Sequence, residues 1–166
     1  MKLCSIIYIF LFLLFSSCVS DVVTEDIERV KVGDMVPTFS VETLTGETFS
    51  SAGMSGKSYL IMFFSTTCPD CQRQLPEVNQ AYQQLGRIDA VIAISRAEAA
   101  ETVATFWHDH NLLLPVAVPS DRNVYELFAT RGVPRLYFVD SRGIIASMSD
   151  DGQFLKCDQI CSYLTP

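Results

Sequence analysis

One junction limits what this chain can fold into more than any other. Tyr59-Leu60-Ile61-Met62-Phe63-Phe64 follows Gly56-Lys57, and neither of its alternating faces carries a charge. Such a run predicts a strand buried on both sides, at home in the middle of a sheet covered by two layers. It stops at Ser65-Thr66-Thr67, whose hydroxyls suit a helix start, and residues 68–85 read as the helix that follows. Pro76 lies inside that helix and should kink it. The junction therefore puts Cys68-Pro69-Asp70-Cys71 where a buried strand gives way to a helix N-terminus.

The rest of the chain alternates around this strand. Residues 39–44 and 47–49 flank Thr45-Gly46 and predict a small hairpin. Strands are expected over 90–94 and 115–118, and helices over 97–110 and 123–130. Residues 136–139 and 144–148 read as strands joined by Ser141-Arg142-Gly143, and 154–164 as a terminal helix. This order predicts an α/β fold: a mixed central sheet with helices on both faces, an N-terminal hairpin and a central strand–helix insert.

The N-terminus has a separate character. Lys2 precedes an apolar stretch over 6–15, too short to span a bilayer comfortably as a helix, so residues 1–17 read as a signal peptide. Ser16-Ser17-Cys18 resembles the bacterial lipobox, although Phe15 stands where leucine is usual. That resemblance implies a lipid on Cys18; an ordinary signal peptide or a retained signal anchor are the alternatives. Residues 18–34 read as a tether and 35–166 as one domain, large enough to bury a core. Lys2 is the only charge in the leader, so its removal takes the net charge from −7 to −8. An acidic chain without a basic cluster excludes nucleic acid as the expected partner. It leaves lipid, rather than surface charge, as the expected membrane contact.

A helix N-terminus carries partial positive charge and unpaired N–H groups, and both favour a thiolate over a thiol. Cys68 at the rim is the expected nucleophile, and Cys71, one turn in, the residue that resolves a mixed disulfide. Asp70 works against thiolate formation by charge repulsion, while the helix dipole works for it. Spacing alone leaves half of a zinc site open as an alternative.

The surrounding residues resemble the TlpA-like, membrane-anchored branch of thioredoxin-like oxidoreductases over most of 33–166. The likeness rests on Gly33-Asp34-x-x-Pro37-x-Phe39, on the strand leading into Cys68-Pro69-Asp70-Cys71, on Pro76, on Arg131-Gly132-Val133-Pro134, and on Asp140 before Ser141-Arg142-Gly143. It implies a thioredoxin-like fold, a redox-active Cys68–Cys71 disulfide and no other cofactor. It also implies a cis bond before Pro134, with Val133, Pro134 and Arg135 beside the substrate, and an insert over about 96–119. Several positions depart from the pattern. Met62 replaces a buried aspartate, Thr67 a tryptophan and Gln74 a glutamate, while Arg135 stands where threonine is common. Implied partners are exported protein thiols and disulfides and a membrane electron donor, in the periplasm.

Other candidates carry less. Cys157 and Cys161 share a helix face but would have to fray the helix to bond, so free thiols, a local disulfide, or redox or metal work stay open. His108 and His110 point about 200° apart on a helix, which disfavours a shared metal and predicts a solvated His108 beside a packed His110. A peroxiredoxin-type peroxidase would also place Ser65 before its cysteine. It would need proline at position 61 and arginine at 134, which are Ile61 and Pro134. A binding module with a purely structural Cys68–Cys71 disulfide is the non-enzymatic alternative.

Overall fold

The computed structural model describes residues 27–87, 89–150 and 152–165. The expected signal peptide, Cys18 and the first part of the tether lie outside them. The buried run forms β3 (Tyr59–Phe64), fully covered along its length. It lies at the centre of a five-stranded sheet with β4 (Val91–Ser95), β5 (Val116–Ala117), β6 (Arg135–Val139) and β7 (Ile145–Ser149). The order is β5-β4-β3-β6-β7, with β4 parallel to β3, and β6 antiparallel to it. The hairpin is β1 (Ser40–Glu42) with β2 (Thr48–Ser50); Leu44 N–H donates to Val116 O at 2.9 Å, so the hairpin covers the β5 edge. The expected insert supplies one helix and that edge strand.

Alternation along β3 sorts the two layers. Phe64 meets Trp107 of α2 (Ala100–Asp109) at 4.9 Å between ring centroids, and Phe138 on the same face meets Tyr163 of α4 (Cys157–Leu164) at 4.4 Å. The long helix α1 (Pro69–Leu85) packs against α4 in this layer. On the other face Phe63 meets Tyr125 of α3 (Asn123–Glu126) at 5.4 Å and Phe128 at 5.0 Å, while Phe39 and Phe49 of the hairpin extend that aromatic cluster. The fold is thioredoxin-like: a mixed sheet between two layers, as expected.

Three element starts or ends differ from the sequence pattern, each for a local reason. The helix expected over 123–130 stops at Glu126, because Phe128 and Thr130 pair with Arg29 and Ile27 instead. Residues 27–34, assigned above to the tether, thus lie against the domain, with Val30 buried. The terminal helix begins at Cys157 rather than 154, because the Leu155 N–H donates to Gln74 Oε1 at 2.9 Å and its carbonyl accepts from Gln74 Nε2 at 2.8 Å. Finally, α2 begins three residues late: Ala97 has φ +63°, outside helical geometry, and the Glu98 N–H and carboxylate both engage the Ser95 hydroxyl.

Phe63 touches three rings and has no exposed surface. Phe63→Ala should therefore cost about 3–5 kcal/mol in unfolding free energy, read by urea denaturation. A loss under about 1 kcal/mol would mean that this face is not a packed core.

Candidate active site

The strand-to-helix turn sets the two cysteines at different depths. Cys68 is the N-cap of α1 with extended backbone (φ −85°, ψ 118°), and Pro69 opens the helix where a missing N–H costs nothing. Cys68 is partly exposed and Cys71 has no exposed surface. Burial pushes the Cys71 thiol well above its usual range. A backbone hydrogen bond at Ser65 pulls it down, and the Cys68 thiol and the Asp70 charge push it up again. Asp70 is not free, since its carboxylate lies 3.1 Å from Arg73 Nη2. All four described cysteines carry free thiols.

The turn before Cys68 is held by a residue that the sequence pattern did not single out. Both oxygens of Glu98 accept from the Thr66 N–H, at 3.1 and 3.0 Å, and the Thr66 hydroxyl donates to it at 2.5 Å. Thr66 is buried, so this carboxylate satisfies polar groups that water cannot reach. Gln72 Nε2 donates to Thr66 O at 2.7 Å, tying the first turn of α1 to the same loop. Gln74, where the family resemblance has a glutamate, is buried and committed to Leu155, so it holds the chain before α4 and brings no carboxylate to the thiols.

Opposite the dithiol lies the loop before β6. The Val133–Pro134 peptide bond is cis, as the resemblance implied. The Cys68 thiol donates to Val133 O at 3.3 Å, so the carbonyl before the cis bond faces the Cys68 sulfur. Arg135 supports this loop from below: its side chain is 5% exposed, and its Nε and Nη2 donate to Arg131 O at 3.0 and 2.8 Å. That guanidinium is therefore buried and committed to the loop carbonyl.

The remaining candidates stay apart from this site. Cys157 and Cys161 are buried between α4 and α1; the Cys157 thiol donates to Gln84 Oε1 at 3.3 Å, and burial raises its pKa to about 11. His108 is exposed beside Asp109, and His110 stacks on the Phe106 ring at 3.9 Å yet remains exposed. Among the described residues no group of three or more His, Cys, Asp or Glu is placed to hold a metal ion.

The depth of Cys71 has a pH signature. Its folded pKa lies above its unfolded value, so its contribution to stability is complete at low pH and falls once the unfolded thiol ionises, from about pH 9 upward. In urea unfolding under reducing conditions, the wild type should lose about 1.4 kcal/mol per pH unit more than Cys71→Ser above that point. Parallel pH profiles for the two proteins would contradict it.

Known proteins share this fold. Residues 32–148 match the model of the AhpC/TSA family. The thiol-disulfide oxidoreductase ResA of Halalkalibacterium halodurans is 25% identical over 128 residues, which is 76% of this chain and 73% of that protein. A thiol:disulfide interchange protein of the thioredoxin family from Chlorobium tepidum superposes with a TM-score of 0.67 at 21% identity, over 81% of this chain and 96% of that one. The exposed lipoprotein thioredoxin of Streptococcus pneumoniae gives a TM-score of 0.67 at 19% identity, over 77% of this chain and 98% of that one. With its dithiol at the head of α1 facing a cis-proline loop, the chain belongs to the AhpC/TSA family, as a thiol–disulfide oxidoreductase of thioredoxin-like fold.

Proposed function

We propose that the protein reduces disulfides in exported protein partners, held at a membrane by a lipid on Cys18 and recharged by a membrane electron donor. The observation that carries this reading is the unequal depth of the two thiols: Cys68 partly exposed at a helix start, Cys71 sealed beneath it. The Cys68 thiolate attacks a partner disulfide, forming a mixed disulfide and expelling one partner thiolate. Cys71 then gives up its proton and attacks the Cys68 sulfur, closing the Cys68–Cys71 bond and releasing the second partner thiolate. Two electrons pass from the dithiol to the partner, and the two released sulfurs take up protons. The donor returns two electrons and two protons.

The place of Val133 beside the attacking sulfur, its carbonyl 3.3 Å from Cys68 Sγ, supports docking of an extended partner segment along this loop. The reducing direction is the one that the resemblance to the TlpA-like branch implies, with a membrane donor recharging the pair. Peroxidase chemistry finds little support, because Ile61 lies buried inside β3 where that chemistry uses proline, and Pro134 replaces its arginine.

Cys68→Ser should abolish disulfide reduction, whereas Cys71→Ser should accumulate mixed disulfides with partners, visible on non-reducing gels. Trapping by Cys68→Ser and not by Cys71→Ser would reverse the roles. Cys18→Ala should move the protein out of the membrane fraction, and an intact mass showing an unmodified N-terminal cysteine would remove the lipid from the account.

A further inference from the structure

The segment just before the hairpin reaches the catalytic end of the sheet. Arg29 N–H donates to Phe128 O and Thr130 N–H to Ile27 O, both at 2.9 Å, with Glu28 and Ala129 forming an antiparallel bridge between them. This short pairing carries the Glu28 side chain over the face of β6. There its carboxylate forms an ion pair with Arg135 Nη1 and accepts the Tyr137 hydroxyl at 3.0 Å. Arg135 is buried, so its charge needs a partner at that depth, and Glu28 is the carboxylate that meets it.

The clamp passes on to the active-site loop. Three consecutive carbonyls of that loop each receive a side-chain donor: Arg131 O from Arg135, Gly132 O from Tyr125 at 2.7 Å, and Val133 O from Cys68 at 3.3 Å. Arg135 is thus the link between Glu28 and the carbonyl row that lies against the reactive sulfur.

We propose that Glu28 is a positioning residue for thiol–disulfide exchange: by holding Arg135 beneath the loop, it fixes the Val133 carbonyl against Cys68 and sets the edge on which a partner docks. This rests on the proposed function only for the chemistry that reads it out. Glu28→Gln keeps the size of the side chain and removes the charge. The guanidinium then either turns toward water, releasing Arg131 O, or stays buried without an opposite charge.

The test measures amide hydrogen exchange and steady-state reduction of insulin disulfides, with dithiothreitol recharging the enzyme, in wild type and Glu28→Gln. Exchange in residues 130–134 should speed by about tenfold or more while β3 and α1 are unchanged, as expected when one charge-assisted hydrogen bond is lost. The KM for insulin should rise by about tenfold, with a smaller change in kcat, because the docking edge loosens before the chemistry does. If Glu28→Gln does not fold, the double variant Glu28→Leu/Arg135→Met replaces the ion pair by apolar bulk and should show the same faster exchange. Unchanged exchange in residues 130–134 in the variant that folds would overturn the proposal. So would a loss in kcat alone that tracks the loss of stability. Absence of insulin reduction by the wild type would count against the proposed function, and the exchange measurement would still decide the role of Glu28.

Discussion

Burial of β3 on both faces is the constraint on which the rest of the molecule depends. Its six residues have at most 1% exposure, so cover must be supplied from two layers, and the hairpin, α2 and α3 all contribute rings to that task. A strand held this firmly has one fixed end. The chain leaves the sheet at Phe64 and turns through three residues with Glu98 gripping Thr66, and Cys68 emerges as the cap of α1. The position of Cys68 thus follows from core packing.

Around that fixed point the site is assembled from carbonyl and carboxylate contacts, with few charges aimed at the sulfur. Glu98 holds the turn on one side of the cysteine, and the row of carbonyls from Arg131 to Val133 holds the other. Charged side chains nearby are largely used up in structure: Asp70 pairs with Arg73, and Arg135 with Glu28. What remains to differ between the two thiols is depth. Cys68 is left partly open to solvent, and Cys71 is sealed beneath it.

The strand, the helix behind it and the cysteine pair were legible in the sequence, because an unbroken apolar run and a helix-start pattern are local signals. The cis-proline loop was legible only through resemblance; nothing in Arg131-Gly132-Val133-Pro134 alone says that it meets residue 68. Tertiary pairing was not legible. Residues 27–30 look like tether because their pattern has no period, and it is their bond to residues 128–130 that shortens α3 and brings Glu28 to Arg135. Gln74 looked like a missing carboxylate and is instead a bidentate clamp on Leu155, a role set by a residue 81 positions away. Glu98 carried one local hint, its place three residues after Ser95 at the end of a buried strand, but its grip on Thr66 spans 32 positions.

The central claim is that Cys68 and Cys71 form a reversible dithiol poised to give electrons away. Equilibrating the purified protein with defined ratios of oxidised and reduced dithiothreitol or glutathione, and counting free thiols at each ratio, measures this directly. The account predicts a single two-electron couple confined to Cys68 and Cys71, with a potential more negative than about −220 mV, in the range of thioredoxin-type reductants. A potential near about −120 mV would make the pair an oxidant, and a bond that resists reduction throughout would make it a structural disulfide; either result would contradict the account.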